Sequence, residues 1–387
     1  MIEKSLLPRE YQSFPNHWKV LRFTDAFKDK TGGQTKIKKK DCLNHGVLPV
    51  IDQGQEFYGG FVNDLGSTCE IDLPCVVFGD HTKVFKYVQD PFALGADGVK
   101  VLQGRGDINP KFAYYYLTTL KLPSVGYSRH FKFLKRAFFP LPPIDEQRRI
   151  AAILDQADAI RRKRQQGIAL TDELLRSTFL EMFGDPVINP KGWEVVPMKK
   201  VTRETQYGTS DKANTNSIGL PVLRMNNITY NGEINLNALK WCPIPQTEVA
   251  KYTVQEGDLL FNRTNSPELV GKTTVWRKKE KYAYAGYLIR VRFKENYALP
   301  EYVSGYLNSS YGKKYLFEKA KPSGNMSNFS ASEFVKIPLP LPPLKLQHHF
   351  TIIAGKAREY IKTIETSSRQ SNNLFNSLLQ RAFKGQL

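Results

Sequence analysis

The chain has 387 residues, 41% hydrophobic and 12% aromatic, which excludes a disordered polyelectrolyte and leaves room for two or three domains. Its 56 Lys and Arg against 37 Asp and Glu give a formal charge of +19, which points to a polyanionic partner, nucleic acid before membrane. No run of about 18 apolar residues occurs, MIEKSLLPREYQSFP holds no apolar signal core, and Cys42, Cys69, Cys75 and Cys242 form no C-x-x-C pair. The expectation is a cytoplasmic protein with free thiols and no membrane partner.

A first globular stretch opens at Pro15-Asn16-His17-Trp18-Lys19-Val20. It carries one basic run at Lys36, Lys38, Lys39 and Lys40. Another, at Arg129, His130, Lys132, Lys135 and Arg136, is interleaved with Tyr127, Phe131 and Phe133. Asn109-Pro110-Lys111-Phe112 resembles an adenine-methyltransferase motif, but the second proline is Lys111 and no Gly-rich fingerprint precedes it. A helix start accounts for it better.

Pro140-Leu141-Pro142-Pro143 then stops the chain, and Asp145-Glu146-Gln147 supplies acid and amide groups to the first turn of a helix. Ile150, Ile153, Ala157 and Ile160 follow at coiled-coil spacing, and Leu174, Leu175 and Phe179 resume the apolar face. Arg161-Arg162-Lys163-Arg164 in mid-helix is a solvated face or a contact to phosphate or a partner. Gly184-Asp185-Pro186 ends the segment.

A second globular stretch opens at Pro190-Lys191-Gly192-Trp193-Glu194-Val195, an offset of 193 − 18 = 175 from the first. Sparse matches follow. Val76-Val77-Phe78-Gly79-Asp80 answers Leu259-Leu260-Phe261-Asn262-Arg263, and Asn109-Pro110 answers Leu299-Pro300. Short apolar runs broken by Gly, Asn and Pro predict mixed helix and strand in both. Here Arg224, Asn226, Asn227, Arg263 and Asn265 combine guanidinium with amides, the groups suited to reading guanine and adenine edges. Singly they read as turn caps, and together as a binding surface. Gly271-Lys272-Thr273 resembles the end of a phosphate loop, but Ser266 stands where its upstream glycine is required. No metal set or active site emerges, since His348 and His349 are adjacent and Asp97-x-x-Lys100 is misspaced for a nuclease.

The corner returns as Pro340-Leu341-Pro342-Pro343, at 340 − 140 = 200, and opens a second amphipathic segment with Phe350, Ile353, Ala357, Ile361, Ile364, Ser368, Ser371, Leu374, Phe375 and Leu378 on one seam. Neither helix can hide its seam alone. Antiparallel packing of the two would bring Lys384–Leu387 back to the segment before Trp18.

Two Trp-opened variable stretches, each closed by a PLPP corner and a long helix, resemble the specificity (S) subunits of type I restriction-modification systems over nearly the whole chain. Tyr127-Ser128-Arg129-His130-Phe131-Lys132 fits the same pattern, while Lys345-Leu346 departs from the usual acidic pair. The fold expected is α/β of the α+β kind, with two mixed α/β target recognition domains separated by two long helices packed as an antiparallel, pseudo-two-fold coiled coil. Domains are expected at 1–139 and 185–339, helical spacers at 140–184 and 340–387.

The resemblance implies that each domain reads one half of a split site on double-stranded DNA. The DNA-contacting candidates are Lys36, Lys38, Lys39, Arg129, His130, Lys132, Arg224, Asn226, Asn227, Arg263, Asn265 and Lys272. It implies that the helices set the spacer and dock two methyltransferase (M) subunits. The duplicated corners Leu141, Ile144, Ile150 and Leu341, Leu344, Phe350 are the docking candidates, and Ile153, Ile160, Ile353 and Ile364 continue the helix interface along the two seams. S-adenosylmethionine, ATP and Mg belong to the M and restriction (R) subunits, with no cofactor, metal or catalysis in this chain. The rivals are a single-chain methyltransferase or nuclease, and a scaffold unrelated to DNA.

Overall fold

The structure, a computed structural model, describes residues 7–8, 11–123 and 128–387; Tyr127 lies outside them. The chain forms two compact units, residues 1–165 with 366–387, and residues 166–365. The long helices Ile144–Phe183 and Leu344–Ala382 are unbroken, and each gives one half to either unit.

In the first unit, Lys19–Arg22 pairs antiparallel with Phe138–Leu141 and so ties the start of the domain to the PLPP corner. A four-stranded antiparallel sheet runs in the order Phe27–Asp29, Val99–Gly104, Cys75–Gly79, Phe85–Val88. All five residues of Cys75–Gly79 are buried, as their continuous apolar run requires. A second, mixed sheet orders Lys36–Ile37, Ala93–Gly95, Leu48–Ile51, Gly60–Val62. The helix Pro110–Thr119 starts as expected, with Asn109 Oδ1 accepting from the amides of Lys111 and Phe112 at 3.0 Å. Its Phe112 and Tyr116 pack on Phe139 and on Phe383 from the end of the second long helix.

The second unit repeats this frame. Val195–Pro197 pairs with Pro338–Pro340, and a four-stranded antiparallel sheet orders Thr202–Tyr207, Leu288–Phe293, Leu259–Asn262, Thr273–Val275. Leu220–Leu223, Lys240–Cys242 and Ala283–Tyr284 form the second sheet. Arg290 is buried in its strand because Glu204 meets it at 2.6 Å, and Asp258 meets Arg292 at 2.6 Å. A small sheet of Thr264–Asn265, Met326–Asn328 and Lys321–Ser323 is added.

One residue anchors each helix start. Gln147 and Gln347 are 1% and 0% exposed. Gln147 Nε2 donates to the carbonyls of Pro142 (2.9 Å) and Asp107 (3.0 Å), while its Oε1 accepts from the amide of Asn109 (2.8 Å). Gln347 repeats all three bonds, with Pro342 (2.8 Å), Tyr297 (3.1 Å) and the amide of Leu299 (2.8 Å). The same side chain therefore locks corner, helix and domain in both units.

The helix halves pack antiparallel within each unit. Arg161 lies 4.7 Å over the Phe375 ring and Arg164 bonds Ser367 and Ser371 in the first unit; Phe179 and Phe183 meet Phe350 in the second. The predicted seam needs correction. Ile160, Leu174 and Leu374 are 48%, 58% and 57% exposed, whereas Ala151, Leu154 and Ala354 are buried. A heptad reading assumes that the other helix is the sole partner, but here each domain covers part of the face and turns the buried stripe toward itself. Arg161 and Arg164 of the basic run are thus partly glue between helices. The chain's end meets its start as expected. A Cβ at Gly385 would run into Pro15, and Arg149 Nη2 donates to the Leu387 carbonyl at 2.6 Å. Burial pushes the Cys75 thiol up to about 12 and, with Glu70 adding to it, Cys69 up to about 11, so neither is a nucleophile at neutral pH.

Candidate nucleic-acid interface

In both units the end of a central strand is bonded to the segment that precedes the PLPP corner. In the first, the amide of His130 donates to the Asp80 carbonyl (2.9 Å) and that of Phe131 to Asp80 Oδ1 (2.6 Å). In the second, the amide of Phe329 donates to the Arg263 carbonyl (2.8 Å). Phe131 and Phe329 are both buried and hold the segment down. Two stretches far apart in sequence thus form one surface in each unit, and they carry different side chains there.

On the first unit this surface is cationic. Arg129, Lys132, Lys135 and Arg136 are exposed around the short helix Phe131–Leu134. Lys100, Lys135 and Lys132 lie about their neighbouring rings, at 4.9 and 5.2 Å from Phe131 and 5.0 Å from Phe133. Interleaved cations and aromatic rings suit phosphate and base together. The loop Asp80–Lys83 beside it is braced by Gln53, whose Oε1 accepts from the His81 amide (3.2 Å). Lys36, Lys38 and Lys39 are exposed on the other sheet and its following turn, Lys39 Nζ donating to the Gly59 carbonyl at 2.6 Å.

On the second unit the surface is amide-rich. The Arg263 guanidinium lies 5.0 Å over the Tyr207 ring, with its Nε buried and unbonded. Asn265 is 8% exposed, and its Nδ2 has no protein partner; Asn262 Oδ1 is likewise unspent. Asn328 Oδ1 accepts from Thr264 Oγ1 at 2.5 Å, and Tyr207 and Tyr287 are exposed at the margin. Arg263 Nε and Asn265 Nδ2 are unspent donors that a water bridging to a base edge can satisfy, whereas Asn262 is 0% exposed with its Nδ2 turned to the Met225 carbonyl.

Four of the expected DNA-contacting side chains stand elsewhere. His130 is 2% exposed, its Nδ1 against the Asp80 carbonyl at 2.9 Å, so it braces the strand end. Asn227 is 1% exposed; its Oδ1 accepts from the Arg224 amide and its Nδ2 donates to the Asn235 carbonyl, closing a loop. Lys272 is buried with Nζ on the Met225 carbonyl at 2.8 Å, and desolvation alone depresses its pKa. Arg224 is half-buried and spends Nη2 on the Ala238 carbonyl. Asn226 is exposed at the same turn. These polar residues hold loops because a buried polar side chain must find a partner, a demand that composition cannot reveal.

The sequence reading missed Asn328, Tyr207, Tyr287 and Gln53. A signal for Asn328 was present. Gly126-x4-Phe131 and Gly324-x4-Phe329 recur ahead of the two corners, their phenylalanines nine and eleven residues before the first prolines.

The docking and helix-interface candidates are largely packed internally. Ile150 and Phe350 are buried in the cores, and Leu141 and Leu341 pack on them. Ile144, Ile153, Leu344, Ile353 and Ile364 are half-buried, and Ile160 alone of that set is exposed. Among the described residues no cluster of three or more His, Cys, Asp or Glu could hold a metal ion, and no helix is long and apolar enough to cross a membrane.

Comparison with known proteins supplies the remaining observations. A family model for the type I restriction modification DNA specificity domain matches residues 15–170 and again 190–374. The chain is 26% identical over 295 residues to the type I restriction enzyme EcoKI specificity subunit of Escherichia coli, covering 69% of this chain and 62% of that protein. It is 28% identical over 197 residues to the putative type I restriction enzyme MjaX specificity subunit of Methanocaldococcus jannaschii, with 50% and 46% covered. These matches span less than two thirds of either relative's length. The crystal structure of a type I restriction-modification S subunit from M. genitalium superposes with a TM-score of 0.61 at 14% identity, covering 99% of both chains. A chain from a study of assembly and conformational transition in the type I system gives 0.51 at 18% identity, with 97% of this chain and 99% of that one covered. At such identities the likeness shows the fold.

Proposed function

The chain belongs to the type I restriction-modification DNA specificity family, and from that premise we propose that it is the non-catalytic subunit which reads one half of an asymmetric, bipartite site with each unit. One observation carries this reading. The same pair of stretches forms the candidate surface in both units, yet presents Arg129 and Lys132 in one and Arg263, Asn265 and Asn328 in the other. A shared frame with different side chains reads two different sequences. Catalysis, with S-adenosylmethionine, ATP and Mg, belongs in this reading to M and R partners in the cytoplasm. Large apolar side chains left exposed on the long helices, Ile160 and Leu374 in the first unit and Leu170, Leu174, Leu180, Ile352 and Tyr360 in the second, are the groups each unit offers to an M subunit.

The test is sequence preference in duplex DNA. Arg263→Ala should weaken selection within one half-site by about 1–3 kcal/mol, and Arg129→Ala should act through the other half. Footprinting or selection from a randomised library reads both. A substitution that altered both halves together would overturn the modular reading.

The unbroken helices are the natural ruler for the unread spacer. A matched heptad inserted near Gly167 and near Ser367 adds about 10.5 Å of rise, roughly three base pairs, and preserves the packed face. Methylated-adenine mapping should return both half-sequences with a longer spacer. An active variant with an unchanged spacer would show that another element sets the distance.

A further inference from the structure

The two domain-to-helix contacts share one frame but exchange their chemistry. The glutamine anchor makes the frames superposable, since Gln147 holds the Asn109 amide and Gln347 the Leu299 amide, each just ahead of a helix whose first residue is proline. Counting from those prolines, Lys111 corresponds to Glu301 and Tyr115 to Gly305. Counting from the PLPP corners, Ile150 corresponds to Phe350, Asp155 to Gly355 and Asp158 to Arg358.

In the first unit the domain supplies the cation and the helix the anion. Lys111 Nζ lies 2.9 Å from Asp155 Oδ1, which also accepts from Tyr115 Oη at 3.0 Å. In the second unit the signs are reversed. Glu301 belongs to the domain and Arg358 to the helix, with Nη2 2.9 Å from Oε2, and Arg358 Nε reaches Glu233 at 2.9 Å.

Size is exchanged as well. Domain one places the Tyr115 ring at the helices, 6.1 Å from Phe375. Domain two places Gly305 there, where even a Cβ would come within 2.9 Å of Phe179 and 3.1 Å of Phe350. Domain one on the second helix would set Lys111 against Arg358 and drive Tyr115 into Phe350. Domain two on the first would set Glu301 against Asp155 and Asp158 and leave a void above Gly305.

We propose that these inverted pairs key each recognition domain to its own helix. Lys111, Tyr115, Asp155 and Glu301, Gly305, Phe350, Arg358 are positioning residues that exclude the exchanged arrangement, because unlike contacts in one frame discriminate by clash and by like charge. Resting on the function proposed above, the keys also fix the order in which the two half-sites are read.

The test uses the full chain and limited proteolysis, a readout that needs neither DNA nor partner, so its failure is separable from failure of the DNA-reading proposal. Lys111→Glu should hasten cleavage of the first domain severalfold, and adding Asp155→Lys should restore resistance; absence of rescue would overturn the charge key. An exchanged chain, with 193–340 ahead of the first helix and 18–140 ahead of the second, should be cleaved faster than the parent. Moving the keys along with the domains (Ile150→Phe, Asp155→Gly and Asp158→Arg on one helix, Phe350→Ile, Gly355→Asp and Arg358→Asp on the other) should recover resistance. An exchanged chain as resistant as the parent with its helices unaltered, or no recovery once the keys are moved, would overturn the proposal.

Discussion

Replacing Gln347 by leucine is expected to destabilise the second unit by about 3–5 kcal/mol while hardly changing side-chain volume. The three groups it binds, the amide of Leu299 and the carbonyls of Tyr297 and Pro342, would lose their partner at a site where the glutamine is 0% exposed. Each buried polar group left unsatisfied costs about 1–3 kcal/mol, and leucine can replace none of the bonds. Gln147→Leu should do the same to the first unit through Asn109, Asp107 and Pro142. Urea unfolding followed by intrinsic fluorescence and by hydrogen exchange resolves which unit is affected. A loss below about 1 kcal/mol for either variant would mean that water reaches these groups and that the anchor is dispensable.

The second large effect concerns Glu301. Its carboxylate lies between two guanidinium groups, Arg277 at 2.5 and 2.9 Å and Arg358 at 2.9 Å, with the side chain 11% exposed. Removing one partner of a buried, hydrogen-bonded pair costs about 3–5 kcal/mol, so Glu301→Leu should fall in that range. Burial acts to raise the pKa of Glu301, but the hydrogen bonds and charge of Arg277, then of Arg358, outweigh it and hold the carboxyl below its ordinary 4.5. A carboxylate depressed in the folded state stabilises the protein above the unfolded pKa, and that contribution is lost as pH falls from about 4.5 through the lower folded value. The parent should therefore lose more stability across this window than Glu301→Leu, whose curve should be flatter. Parallel curves would show that other carboxylates dominate the acid transition.

How far the sequence reaches is visible residue by residue. The repeat of PLPP, the retained glutamine three residues past each Leu or Ile that follows it, and the proline at the start of each domain helix all proved to mark real joints. The strand match of Val76–Asp80 with Leu259–Arg263 held, since both lie third in a four-stranded sheet. The polar candidates fared unevenly. Arg129 and Lys132 are exposed, but His130, between them in sequence, points inward, because the Asp80 turn draws its imidazole into the strand end. Arg263 and Asn265 reach the candidate surface, whereas Asn227 closes its own loop. Nothing in a local pattern separates an asparagine that braces a carbonyl from one that faces solvent.

The sequence by itself determined the duplication, the two long helices, the basic surplus and the family, because these depend on periodicity, spacing and composition, which are properties of the chain order. Only the tertiary structure decided which face of each helix is buried, which polar groups are spent internally, and how each domain is matched to its helix. Those outcomes depend on groups far apart in sequence that meet in space. Lys111 finds Asp155 and Glu301 finds Arg358 across 44 and 57 residues, and the sign of each pair has meaning only once the glutamine anchors have placed both in the same frame.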